Sequence, residues 1–426
     1  MGLLEATLVF IGLLFFAFIS WRRLDWGIYL VVFTLPCYLL RPQIFGIPTT
    51  VLELEIYVLS AIWLIKSLQL LDFSFQIKNF LFSRRYFLLP IGLIFLGAVL
   101  STIFSSNLRI SLGILKGWFF DPLIFSVLIF FTIKTKKQIK VLLSALSGSG
   151  ILVAFVSLFY YFSNDLTFDG RLKAFYLSPN HLAMYLAPCF LLTYFLFSAA
   201  HLKKLKFFWL GGLFSMALIL YLTFSFGAWF GTLSALCFSL WLNFKKKRTF
   251  WTSRKKLLYC YIVILLFIIG VSFLQFPTEK IQSLLNFSRS SLESRLMVWQ
   301  AALKILNNNF ILGIGPGMFQ EYYLDYQKYF SPYLEWAAPQ PHNIFLAFWL
   351  QCGIFGLAGF LWLLIRFFKT GFKLSAIGHR SLVIGLMAVM VYILVHGLVD
   401  ATYWKNDLSV IFWLTVVLIE ISKIKN

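Results

Sequence analysis

The chain has 426 residues, of which 60% are hydrophobic and only 12% charged, yet its formal net charge is +21. With a mean hydropathy of +0.85, it carries more apolar surface than a water-soluble core can cover, which excludes an ordinary soluble enzyme or binding module. A single polytopic membrane domain over 1–426 is the simplest organisation, all-α with about 12 or 13 transmembrane helices.

The charge does not point to nucleic acid. The positives fall in short loops between apolar runs: "KTKKQIK" (134–140), "HLKKLKFF" (201–208), "FKKKRTFWTSRKK" (244–256) and "RFFKTGFK" (366–373). That is the signature of cytoplasmic loops, which also meet anionic membrane lipids.

Taken in chain order, spans of about 20 apolar residues are expected at 3–20, 26–41, 49–70, 86–104, 111–133, 141–163, 181–200, 207–224, 227–243 and 257–275. After a polar interval they resume at 342–365, 381–399 and 408–422. The first is expected to be retained, because no early basic region or small-residue cleavage site marks it for removal. Placing the basic loops inside puts the C-terminus in the cytoplasm and the N-terminus outside; losing one of the first pair would bring both inside. Four segments then lie outside: 162–180, 224–229, the large loop 276–341 and 400–407. Long polar loops are uncommon unless they work. The five cysteines, 37, 189, 237, 260 and 352, lie in or beside apolar runs and read as small hydrophobes.

Within the large loop, "SRSSLESRLMVWQAALKIL" (288–306) repeats Leu292, Leu296, Trp299, Leu303 and Leu306 at helical spacing, with Ser290 or Ser291 as the expected cap. "GIGPGMF" (313–319) reads as a turn, not a phosphate loop, since it lacks the lysine and the strand-to-helix context. The Tyr-rich stretch 321–336 suits sugar stacking or the headgroup level.

External positive charge runs against the topology rule, so each external arginine needs its own reason. Arg171 and Arg295 offer planar donor forks that match phosphate oxygens. His342 stands where polar chain turns into apolar span, and can take a proton near neutral pH. Each has a plain alternative. Arg171 can pair with Asp165 or Asp169, Arg295 with Glu293 or Glu321, and His342 can simply sit at the start of its helix. Asn343 is an ordinary helix-start residue. His181, after Asn180, and His396, before Asp400, are polar groups at span edges. Glu53 and Glu55, and Lys116 with Asp121, are buried ionisable groups that can serve as one another's partners. No His/Cys/Asp set has metal-ligand spacing, so a metal-free mechanism is expected.

Three blocks together resemble the O-antigen ligase and polymerase family of bacterial envelope enzymes: "GRLKAFYLSPNHLAMYL", "ESRLMVWQAALKILNNNFILGIGPGMF" and "PHNIFLAFWLQCGIFGLAGF", with "HGLVDATYWKND" a weaker fourth. The resemblance implies a C-type glycosyltransferase architecture in the inner membrane with its site on the periplasmic face. It implies inverting transfer of a glycan from undecaprenyl pyrophosphate to an acceptor hydroxyl, a lipid A-core sugar in the ligases, without metal or cofactor. Arg295 and His342 match the family's functional Arg and His. Arg171, Lys173, Asn180, His181, Asn343 and His396 are the expected pyrophosphate- or glycan-binding residues. The family's Ser-Arg-Gly turn is altered here, with Phe226 in place of the arginine, so Arg171 or Lys173 is expected to supply the missing charge. O-antigen polymerases and protein O-glycosyltransferases share the pattern, and a transporter of lipid-linked sugars is the alternative from a different class.

Overall fold

The computed structural model describes residues 3–44, 47–68, 73–244, 290–330, 336–377 and 380–424. The protein is an all-helical, multi-pass membrane protein. The first half runs through α1 (Leu3–Arg22), α2 (Leu24–Phe33), α3 (Val51–Leu68), α4 (Phe73–Ile103), α5 (Leu108–Leu115), α6 (Asp121–Thr132) and α7 (Lys136–Phe162). Then come α8 (Pro179–Ala199), α9 (Lys203–Leu222), α10 (Phe226–Phe244), α11 (Ser290–Asn308), α12 (Phe319–Tyr326), α13 (Ile344–Ile377), α14 (Arg380–His396) and α15 (Asn406–Ile424). Among the described residues five helical segments are long and apolar enough to cross a membrane, and four shorter apolar helices accompany them. The expected span 257–275 lies outside the described residues, as do parts of the large loop. Every other expected span except the second coincides with a helix.

The second span, expected at 26–41, is a short α2 instead. The Thr34 hydroxyl turns back onto the Leu30 carbonyl at 2.8 Å and lies 2.7 Å from the Glu55 carboxylate. Pro36, which has no N–H, follows. The chain leaves through a 3-10 turn, Leu35–Leu39, and a two-residue antiparallel pairing of Gln43–Ile44 with Ile47–Pro48. The span expected at 111–133 is continuous only through a π-helical turn, Lys116–Phe120, between α5 and α6.

α8 and α15 form the interior. Almost every residue of α8 from Leu182 to Leu196 is buried, and α15 is buried along its length. α8 packs on α7, α9, α10 and α14, while α15 packs on α6, α13 and α14. The outer helices turn apolar side chains outward, among them Leu152, Phe155 and Phe159 of α7 and Phe207 and Phe214 of α9, as lipid-facing surfaces do. α4 and α13 meet at backbone distance: a Cβ on Gly97 would strike the Cys352 carbonyl and the Gly356 nitrogen, and one on Gly359 the Ile94 nitrogen. Small residues permit that approach.

α13 is broken at Gly353, whose φ is +65°. In an unbroken helix the Leu350 carbonyl would accept from the Ile354 N–H. Here it accepts from the Ile314 N–H at 2.6 Å, and the Ile354 N–H donates to the Ile311 carbonyl at 3.0 Å. The segment 311–317 is thus set into the break. It is the expected turn, with Gly313, Gly315 and Gly317 all at positive φ. The Gly315 N–H donates to Ser101 at 2.8 Å and the Gly317 N–H to Gln351 at 2.7 Å.

Candidate functional site

Four helices begin at one end of the bundle: α8, α10, α13 and α15. Two of them start on a signal in the sequence. α8 opens on Ser178-Pro179, with proline at the first helical position and the Ser178 hydroxyl accepting from the His181 N–H at 3.3 Å. α13 opens on Asn343, whose Oδ1 accepts from the Phe345 and Leu346 N–H groups at 2.9 and 3.0 Å. Helix N-termini carry partial positive charge and unpaired N–H groups, so their convergence suits an anion.

Asp400, in the turn between α14 and α15, ties these starts together. The loop beside it is stapled to α13: Ile344 N–H donates to the Gly397 carbonyl at 2.7 Å, and Asn343 Nδ2 to the Leu398 carbonyl at 3.0 Å. That staple brings the His342 Nδ1 to 3.1 Å from Asp400 Oδ1. The same oxygen accepts from the Ala401 N–H at 2.8 Å, and Oδ2 accepts from Asn180 Nδ2 at 3.0 Å. Asn180 Oδ1 in turn accepts from the Arg171 guanidinium at 2.8 Å. A hydrogen-bonded chain therefore runs Arg171 to Asn180 to Asp400, and His342 meets it from the other side. A carboxylate only accepts, so His342 Nδ1 bears a hydrogen, and in the neutral ring the lone pair is then on Nε2. His342 is held at φ +46°, a left-handed conformation uncommon outside glycine and sustained only where surroundings impose it.

Asp400 is 4% exposed. Burial opposes its charge, but the hydrogen bond that His342 donates, with the field of Arg295, holds the carboxyl well below its usual range.

Arg295 lies on α11, four residues before Trp299 and so on the same face. Trp299 Nε1 donates to the His342 carbonyl at 3.3 Å. Arg295 is half-buried, and among the described residues its guanidinium has no hydrogen bond or ion pair, although its charge reaches Asp400 and His396. Arg171 is committed differently: Nε donates to the Thr223 carbonyl at 2.8 Å, and Asp169 stands 4.0 Å away. Arg171 therefore docks on the turn that leads to Phe226, whose ring packs edge-on against Trp229. Lys173 has no side-chain hydrogen bond or ion pair among the described residues.

The other expected residues divide. Asn343 uses both ends of its amide inside the protein, next to His342. His181 Nδ1 lies 2.6 Å from Lys405 Nζ. His396 is buried, with Nδ1 2.8 Å from the Tyr392 hydroxyl and its Cδ2–Nε2 edge closed off by Gly227 of α10. Two site residues are missed by sequence reasoning, Asp400 as the hub and Lys405 as the partner of His181. Lys405 is largely buried, and burial lowers its ammonium to about 8. The available signal is an acid and a base in a short turn between two apolar runs.

A separate buried network stands close by on α3, the π-turn and α15. Lys116 Nζ lies 2.7 Å from Glu53, which also accepts from Thr49 and Asn406, while Asp121 accepts from the Tyr57 hydroxyl at 2.9 Å. Glu53 and Lys116 are partners; Glu55 and Asp121 bond to hydroxyls instead.

These features define a class: a helical, multi-pass membrane protein whose polar, charged groups gather at one end of the bundle. Residues 211–361, about a third of the chain, match the family model described as O-Antigen ligase, and that part of the chain is O-antigen ligase-like. The match includes Phe226, Arg295, His342 and Asn343 and stops before His396 and Asp400. The family's chemistry is glycosyl transfer of the ligase or polymerase type. No curated protein matches the chain.

Proposed function

We propose that the protein transfers a glycan from undecaprenyl pyrophosphate to an acceptor hydroxyl at the periplasmic face of the inner membrane, as a ligase acting on a lipid A-core sugar. The observation that carries this reading is the His342–Asp400 pair, which in the neutral ring leaves Nε2 of His342 with its lone pair, beside an Arg295 that has no hydrogen bond or ion pair among the described residues and whose helix is tied to His342 through Trp299. In the step, His342 Nε2 takes the acceptor's O–H proton as that oxygen attacks the anomeric carbon. The C–O bond to phosphate breaks with inversion, and the pyrophosphate leaves with the bonding electrons. Arg295 neutralises the departing charge, so the leaving group needs little acid help and no metal. Asp400 holds the ring in the tautomer that accepts, and stabilises the imidazolium that forms.

A transporter would place polar groups along a path across the bilayer. Here the site groups crowd the starts of helices at one end, which favours an enzyme over a carrier. The test is genetic and chemical together. A strain lacking the gene should lose long glycan chains on its glycolipid and accumulate lipid-linked glycan; the wild-type gene should restore both, and His342→Gln neither. Restoration by His342→Gln would refute His342 as the base.

A further inference from the structure

Two imidazoles of the site have opposite partners. His342 Nδ1 faces a carboxylate; His181 Nδ1 faces an ammonium, Lys405 Nζ, at 2.6 Å. An ammonium has three donors and no acceptor. His181 Nδ1 must therefore accept, and the ring's hydrogen sits on Nε2. Lys405 keeps its proton at neutral pH, since burial lowers it only to about 8. Among the described residues nothing accepts a hydrogen bond from His181 Nε2. The ring is fixed at the first turn of α8, next to Asn180, which bonds Asp400 at 3.0 Å. Lys405 and the α8 N-terminus stand beside it, and the nearby Asp400 carboxylate is already filled by other donors, so the oxygen of an incoming anion is the acceptor that suits it.

We propose that His181 is a neutral hydrogen-bond donor to a pyrophosphate oxygen of the lipid-linked substrate, set in its Nε2–H tautomer by Lys405. The inference rests on the transfer reading above and assigns the two histidines complementary duties. His342 takes a proton from the acceptor; His181 lends a hydrogen bond to the leaving group and gives up no proton. Lys405 is a positioning residue that acts through His181. A neutral donor has a use beside arginines: it stabilises charge as it develops without tightening the ground state by another full charge.

Glutamine and asparagine separate the two ring nitrogens. A glutamine amide reaches the place of Nε2 and still donates; an asparagine amide reaches only the place of Nδ1. His181→Gln in lipid nanodiscs should bind undecaprenyl pyrophosphate, the glycan-free carrier, within about threefold of wild type. His181→Asn should bind it about tenfold more weakly or worse, the size of one lost hydrogen bond to a charged group. The same order should hold for glycan transfer, whereas at His342 glutamine should fail. Equal loss in both His181 variants would overturn the donor assignment. A measurement without substitution guards against misfolding. The chain has only five histidines, so nitrogen-15 spectra of histidine-labelled wild-type protein resolve them singly. His181 should show a protonated Nε2 and a bare Nδ1; a protonated Nδ1 would sink the proposal. The transfer reading fails by a different result, namely activity of His342→Gln, whatever His181 does.

Discussion

Asp400→Asn is the sharpest perturbation the structure offers, because it removes one charge and almost no volume. The hydrogen-bonded chain has a direction: Arg171 donates to Asn180, Asn180 donates to Asp400, and His342 and Ala401 donate to Asp400 as well. An amide at position 400 has one oxygen and one NH₂. If the oxygen faces His342 and Ala401, the NH₂ confronts the NH₂ of Asn180. If Asn180 then flips, its NH₂ confronts Arg171. Each arrangement strands a part-buried donor, at a cost of about 1–3 kcal/mol. The imidazolium also loses its counter-charge. Activity should fall by about 10²–10⁴, the usual worth of general-base catalysis. Transfer is followed in proteoliposomes and stability by thermal unfolding in detergent. The swap Asn180→Asp with Asp400→Asn separates the two effects. The carboxylate now at position 180 accepts from Arg171 and from the amide now at position 400. Every donor is satisfied, and the melting temperature should recover. Transfer should stay low, because the negative charge is no longer against His342. Wild-type transfer by Asp400→Asn, or recovery of transfer by the swap, would refute the reasoning.

Arg295→Lys should insert and fold yet lose most transfer, since a point charge does not replace the planar fork; near-normal rates in a steady-state assay would leave Arg295 as a surface residue. The lowered Lys405 value makes a stability prediction. With the folded group at about 8 and the ordinary value at 10.5, the unfolded chain binds more protons between these values, so stability should rise as pH climbs from about 8 to 10.5. Thermal melts across that range should show the rise in wild type and its loss in Lys405→Met. Gly353→Ala should be poorly folded, because its φ of +65° is strained for alanine and the new methyl would run into the Ile311 carbonyl; a melting temperature equal to wild type's would argue against the break.

Much of this architecture is legible in the sequence because lipid imposes simple rules. Apolar length gives spans, and basic loops give orientation. His342 and Arg295 stand out because each interrupts a local pattern. Asp400 is harder to see, since its meaning depends on His342 58 positions away and on Asn180 220 positions away. Nothing near "HGLVDATYWKND" announces those partners. The truncation of α2 is written in Thr34 and Pro36, yet hydropathy counts neither as an interruption. The break at Gly353 is hidden for the opposite reason: "CGIFG" is apolar throughout, and only the backbone shows that 311–317 fills it. Asn343 illustrates a third limit, because a polar residue at a helix start has the same sequence signature whether it caps or binds.

The break in α13 has a consequence for biogenesis. Gly353 lies about 14 Å along the helix from its start, at a depth where an open carbonyl and an open amide would cost several kcal/mol apiece. Residues 311–314 satisfy both groups, and they leave the ribosome before residues 350–354 do. The strap therefore already exists when the span that follows His342 enters the bilayer, and the order of synthesis spares the insertion machinery a helix with a gap in it. A circular permutant that placed 290–330 after α15 would reverse that order and leave the span to wait, unsealed, for its own backbone partners.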